Sequence, residues 1–160
     1  MTTIRMGDAK DLDGVEALWL TLHHHDREIC DVPLQPDDAV SWRVRRDHYT
    51  TLMQDGSGLL FLAEDAGRTI GYAFAILNTG EDDTWGFKHG WAEIYSLSVA
   101  EGSRSSGVGT QLLEAVAAET KARGLDGLEV ATMTANTEAI RFYQERGFEP
   151  AEIVLLRFEL

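Results

Sequence analysis

Hydrophobic positions change their period several times along the chain. Residues 2–5 have the make-up of a short strand. From Asp8 to His25, Val15, Leu18, Trp19 and Leu22 recur at helical spacing, which predicts an amphipathic helix. Pro33 and Pro36 interrupt it, and a second helical segment is expected over 37–54, stopped by the turn signal Asp55-Gly56-Ser57-Gly58. The apolar runs GLLFLAED (58–65) and TIGYAFAIL (69–77), joined by Ala66-Gly67-Arg68, read as a hairpin. WAEIYSLSV (91–99) is a third strand-like run beyond the acidic loop Glu81-Asp82-Asp83, and strand alternation puts Glu93, Tyr95, Leu97 and Val99 on one side of it. A helix is expected from about Gly107 to Arg123, with Gly124 as its stop and Lys121 and Arg123 in its last turn. GLEVATMTA (127–135) reads as a strand. Asn136 is placed to cap a helix that runs to Arg146 and ends at Gly147, and the tail PAEIVLLRFEL is strand-like.

The predicted order is β-α-α-β-β-β-α-β-α-β. An antiparallel middle followed by βαβ implies an α+β fold with a mixed, mostly antiparallel sheet flanked by helices. No repeat, low-complexity tract or linker divides residues 1–160, so one domain is expected.

Charge narrows the partners. The 27 acidic and 14 basic residues give a formal net charge of −13, which argues against nucleic acid and against anionic membrane surfaces. Cys30 is the single cysteine, which excludes an internal disulfide and fits a reducing compartment. The opening MTTIRMGDAK has no apolar core of a secretion signal, and a cytoplasmic protein is expected.

Residues 102–110, Gly-Ser-Arg-Ser-Ser-Gly-Val-Gly-Thr, lie between a strand and a helix. Glycines let backbone N–H groups approach a ligand, and a helix start favours negative charge, so this loop is an anion cradle. A Walker loop fails because Val108 stands where its lysine belongs. A dinucleotide fingerprint fails because Leu112 stands where its third glycine belongs. What remains is Arg104-x-x-Gly107-x-Gly109, preceded by Leu97-Ser-Val99 and followed by Leu112-Leu113. Further on, Asn136, Ala139, Tyr143, Gly147 and Phe148 stand at the spacing N-x-x-A-x-x-x-Y-x-x-x-G-F, with Asn136 and Tyr143 near one helix face.

In these two motifs, taken in order, the chain resembles the GCN5-related N-acetyltransferase (GNAT) family. The specific regions are roughly 91–113 and 134–148. It departs from the family in having Ala100-Glu101-Gly102 where a proline is frequent, and Ser106 where an arginine often precedes the first loop glycine.

The resemblance implies an acetyl-CoA-dependent transfer to an amine, with no metal. It implies that the pantetheine arm pairs with the backbone around Leu97 and Val99. It also implies that the cofactor's anionic part rests on Arg104, Ser105, Ser106, Gly107, Val108, Gly109 and Thr110, with Asn136 beside it. Tyr143 is then the acid that protonates the leaving thiolate, since a tyrosine titrates above a thiol. Glu93 is the chosen base: a glutamate in an apolar strand has its pKa raised by burial, and the histone-acetylating branch carries its base in a comparable A-E-I context. Tyr95, acting through water, is the fallback. A non-catalytic acyl-CoA-binding regulatory module on the same fold is the alternative function.

The triplet His23-His24-His25 invites a metal, but neighbouring helical residues diverge, so a solvated surface is expected, one histidine bordering the substrate cleft at most. Trp42-Arg43-Val44-Arg45-Arg46 likewise reads as a solvated helix face rather than an anion site. The acceptor-side segments carry Asp26, Glu28, Asp31, Asp37, Asp38 and Glu81-Asp82-Asp83, which suggests a cationic small-molecule or peptide amine. Monomer and homodimer both remain open.

Overall fold

The computed structural model describes residues 1–151 and Leu156. The strand expected in the final segment lies outside the described residues. The elements run β1 (Thr3–Gly7), a 3₁₀ helix (Ala9–Val15), α1 (Glu16–Ile29), α2 (Asp38–Gln54), β2 (Gly58–Asp65) and β3 (Arg68–Thr79). They continue with β4 (Gly90–Val99), a 3₁₀ turn (Glu101–Ser103), α3 (Val108–Ala122), β5 (Gly127–Val130) and α4 (Thr137–Gln144). The helix expected to begin at Asp8 opens instead as a 3₁₀ helix. Asp8 accepts from Lys10 N–H at 2.7 Å while Asp11 accepts from Asp8 N–H at 2.8 Å, which winds the first turn tightly. Gly14, a weak helix former, follows before the α-helix proper.

Among the described residues the sheet has five strands in the order β1-β2-β3-β4-β5. The first three pairings are antiparallel and β4–β5 is parallel, joined through α3, so the sheet is mixed as expected. The β2–β3 hairpin turns at Ala66 and Gly67, both with positive φ (47° and 76°), as a two-residue turn that follows the twist of the strands requires. Both faces of the sheet are covered. Phe61, Ala75 and Ile94 pack against Leu112 and Val116 of α3, while Leu60, Leu62 and Phe74 pack against Leu12, Trp19 and Tyr49 on the α1 and α2 side. β2 therefore reads as an unbroken apolar run rather than an alternating one.

Two polar contacts fasten α1 and α2 to this face: Ser98 Oγ donates to the Leu18 carbonyl at 2.9 Å, and buried Tyr49 shares a hydrogen bond with Ser96. The Tyr49 ring stacks on Phe74 at 3.9 Å.

The centre of β4 departs from regular pairing. Phe74 faces Ser96 and Ala75 faces Ile94, so Tyr95 is an extra residue without a partner on β3. This bulge overturns the single-sided alternation expected for the strand. Tyr95 packs on the α1–α2 side, whereas Leu97 and Val99 pack on the α3 side with Ala92 and Ile94. Glu93 lies opposite Ile76, a residue of the α1–α2 side, so it keeps Tyr95's face and loses that of Leu97 and Val99. β5 is also shorter than the run 127–135 suggested: it ends at Val130, and among the described residues it pairs with Trp91–Ile94. Beyond Val130, residues 131–133 pair with no strand among the described residues. The two strands thus part at the point where the bulge begins.

Gly90, at the start of β4, tests this framework. Its φ is +93°, and a Cβ there would stand 1.9 Å from the Asn78 carbonyl oxygen. Gly90→Ala is expected to lower stability by about 3 kcal/mol in denaturant melts, against about 1 kcal/mol for Gly80→Ala, where φ is +102° but nothing lies within 4 Å. Equal losses would contradict the close β3–β4 approach.

Candidate active site

A cleft of about 620 Å³ opens where β4 and β5 part. Its floor is the free side of β4 at Leu97, Ser98 and Val99; one wall is the loop 103–110 with the start of α3, and the other is α4. β4 has no β5 partner beyond Ile94, so its outer edge presents backbone groups that an extended ligand can pair with. Arg104 Nε reaches the Val99 carbonyl at 3.4 Å.

The loop is wound to aim N–H groups. Ser105 holds φ +61° and Gly107 φ +84°, alternations that turn successive amides toward one concavity. Gly107 is the N-cap of α3 and brings no side-chain acceptor to it, so the first amides of the helix are left for a ligand. Of the residues assigned to the cofactor, Leu97, Val99, Arg104, Ser105, Gly107, Gly109, Thr110 and Asn136 all line this cleft. Two do not. Val108 is 2% exposed with its side chain in the core, which leaves only its backbone for a ligand, and Ser106 Oγ donates to the Ser103 carbonyl within the turn.

α4 forms the opposite wall because Asn136 caps it, its side chain accepting from Ala139 N–H at 3.1 Å. One helical face then carries Asn136, Ala139 and Tyr143 to the cleft. Tyr143 packs between Phe142 and Phe148 and is mostly buried; burial alone pushes its hydroxyl up to about 12. It therefore stays protonated at neutral pH. Two cations of this wall went unnoticed in the sequence, Arg141 and Arg146, because the second motif leaves their positions unspecified. Arg146 donates to Thr110 Oγ1 through Nε at 3.0 Å and Nη2 at 2.8 Å and to the Phe142 carbonyl at 2.7 Å. It bolts the two walls together across the cleft.

A second pocket, of about 500 Å³, lies on the other side of β4 between α1 and α2. Tyr95 forms its sheet side and Met133, just past β5, its rim. Glu93 lines neither cavity; it is half-buried two residues along the strand from Tyr95 and on Tyr95's face. Burial raises its carboxyl pKa, and Glu129, its partner on β5, raises it further.

The histidines separate. His23 is buried, stacked on Trp19 at 5.5 Å with Nε2 2.8 Å from the Gln35 carbonyl oxygen, which corrects the solvated reading for this residue. His24 pairs with Asp38 at 2.8 Å, and His25 borders the cleft. Among the described residues no group of histidine, cysteine and carboxylate side chains is arranged to hold a metal. No helix among them is long and apolar enough to cross a membrane. The arginine-rich turn of α2 is also not a simple solvated face: Arg45 is half-buried, stacked 4.0 Å from the Trp19 ring.

Comparison with known proteins gives one consistent result. The model of the Acetyltransferase (GNAT) family matches residues 12–148. A mycothiol acetyltransferase of Thermobispora bispora is 32% identical over 83% of this chain, which spans 42% of that protein's length. An L-methionine sulfoximine/L-methionine sulfone acetyltransferase of Pseudomonas aeruginosa is 26% identical over 92% of this chain and 80% of its own. In structure, AAC(6′)-Iy in complex with the bisubstrate analogue CoA-S-monomethyl-acetylneamine superimposes with a TM-score of 0.75 at 22% identity, covering 100% of this chain and 99% of that one.

The environment of Glu93 makes a prediction independent of activity. With its pKa raised in the folded protein, the stability its proton gives is complete below the ordinary carboxylate pKa and is lost as pH rises through the folded value. Glu93→Gln should therefore gain Tm over the wild type as pH increases from 4 to 8. A Tm difference that stays constant over that range would contradict a destabilised carboxylate.

Proposed function

The chain belongs to the GNAT acetyltransferase family, and from that premise we propose that it moves an acetyl group from acetyl-CoA to a primary amine of a small molecule or peptide by direct attack in a ternary complex. The observation that carries this reading is the parting of β4 from β5 beside a loop of free amides, with Tyr143 in the same cleft. The residues fit an acyl-CoA. The unpaired edge of β4 at Leu97 and Val99 suits an amide-bearing arm, and the amides of 107–110 with Arg104, Arg141 and Arg146 suit its phosphates. Acetyl-CoA supplies the acyl carbonyl and the sulfur leaving group: the amine nitrogen bonds to the carbonyl carbon as the C–S bond breaks.

The chain's own groups handle charge and protons. An N–H of the open β4 edge donates to the carbonyl oxygen as negative charge grows there. Tyr143, buried enough to keep its proton, donates its O–H to the sulfur as negative charge grows there in the transition state. Because the product thiol is the stronger acid, with a reference pKa of about 8.5, any proton Tyr143 passes on is replaced from solvent. The amine's surplus proton goes to Glu93. Two residues apart on a strand is about 6–7 Å, a gap that water spans with hydrogen bonds of about 2.8 Å each, so water beside Tyr95 relays that proton. The raised pKa of Glu93 makes it a stronger base than an ordinary carboxylate. With one bond made, one broken and one proton moved at each end, the step balances.

The acceptor is an ammonium in solution, and a protein of net charge −13 favours its approach. The acidic residues named from the sequence contribute unequally. Asp37 caps α2 at Val40 N–H, and Asp38 is held by His24 and Arg27.

Two measurements test the proposal. Thiol release from acetyl-CoA in the presence of an amine panel should fall by about 10²- to 10³-fold in kcat for Tyr143→Phe, with acetyl-CoA KM little changed; an unaltered kcat would remove Tyr143 as the acid. Gly109→Ala places a Cβ 3.5 Å from the Phe142 ring, an ordinary contact, so the fold should survive. Its acetyl-CoA affinity should drop roughly tenfold because the backbone can no longer be approached closely. Full affinity in that variant would contradict the loop's role.

A further inference from the structure

Resting on the acetyl-transfer reading above, we propose that the pocket between α1, α2 and β4 holds the acceptor and reads a carboxylate on it through Arg45, so that the acceptor is a small amine of the amino-acid type. The guanidinium of Arg45 is held among three rings, 4.0 Å from Trp19, 4.6 Å from Tyr95 and 5.5 Å from Tyr49. Aromatic faces attract a cation and fix its orientation, but they give its in-plane N–H groups nothing to donate to. Its Nη1 is buried and has no hydrogen-bond partner among the described residues. A buried donor left in that condition has given up water without gaining a partner. The ion pairs of the described residues also leave Arg45 out, whereas the adjacent, likewise half-buried Arg46 is matched by Asp13 at 2.8 Å. A guanidinium that is pre-oriented, half-buried, unpaired and facing a cavity is what a planar bidentate anion requires.

The rest of the pocket fits a small zwitterion. Leu34, Val40, Val44 and Met133 offer an apolar lining for a side chain. Asp26, a half-buried carboxylate on α1, supplies a negative group on a different helix from the cation. An α-amino acid answers both charges, its ammonium on arrival and its carboxylate throughout. Tyr95 contacts Arg45 from β4, and Met133, just past the end of β5, lines the same pocket, so the pocket extends from Arg45 toward the region where β4 and β5 part. A simple polyamine would leave Arg45 unanswered.

The test separates this inference from the acetyl-transfer reading by measuring binding and turnover apart. L-leucine, L-methionine and L-phenylalanine are compared by calorimetry with their decarboxylated amines, 3-methylbutylamine, 3-(methylthio)propylamine and phenethylamine. Wild-type protein should bind the amino acids roughly ten- to hundredfold more tightly. Arg45→Met should erase that margin, and Arg45→Lys, which keeps charge without the fork, should retain part of it. Unchanged acetyl-CoA affinity in both variants establishes that they are folded. Equal affinities for acid and amine in the wild type, or a margin that survives Arg45→Met, would overturn the carboxylate site. Thiol release with the same ligands is read alongside: turnover of amines without the margin overturns only this inference, whereas the margin without turnover overturns only acetyl transfer.

Discussion

The rest of the structure depends on the loss of strand pairing halfway along β4. An extra residue at Tyr95 breaks the register with β3, and pairing with β5 stops one residue earlier, at Ile94. Two consequences follow from this single backbone event. The outer edge of β4 beyond Ile94 is left with groups that want partners, which opens the cleft. The side chains also change faces across the bulge, so Leu97 and Val99 join the α3 side while Glu93 and Tyr95 stay on the α1–α2 side. Two cavities therefore form along one strand, the first at Leu97 and Val99 and the second at Tyr95, and α1 borders both, through Leu22 and His25 in one and Trp19, His23 and Asp26 in the other. A regular strand with the same sequence would put Glu93 and Val99 on one face and close the gap with hydrogen bonds.

The charge distribution follows the same geometry. A chain of net charge −13 receives an anionic ligand only where attraction is local, and the cleft supplies it through Arg104, Arg141, Arg146 and the amides at the start of α3. The negative residues that the sequence places near the acceptor are partly consumed in building helices, as at Asp37, or in ion pairs, as at Asp38. The pocket proposed for the acceptor carries a cation and a carboxylate, Arg45 and Asp26, so the overall sign of the protein bears on the approach of a charged ligand more than on what this pocket would hold.

Much of the fold was legible because its elements obey their periods. The hairpin, both N-terminal helices and the capped helix at Asn136 were visible in spacing, turn residues and caps. The glycine loop and Tyr143 were singled out by the resemblance of two motifs to a known family, and both line the same cleft. What escaped depends on long-range pairing. Alternation cannot reveal that Tyr95 is an inserted residue, since the bulge is defined by its partners on β3. GLEVATMTA looks like nine residues of strand, yet among the described residues four of them, facing Trp91–Ile94, find a strand neighbour. Arg45 looked solvated because its neighbours Arg43 and Val44 are; the rings that enclose it come from α1, α2 and β4 and meet only in the folded chain.

Amide hydrogen exchange followed by NMR, with and without saturating acetyl-CoA, addresses the central claim most directly. Ligand pairing with the open edge of β4 should slow exchange at the edge amides among residues 97–99 and at the loop amides 107–110, leaving those of β2 as they are. Amides of β4 and the loop that exchange equally fast with the ligand bound would contradict the account.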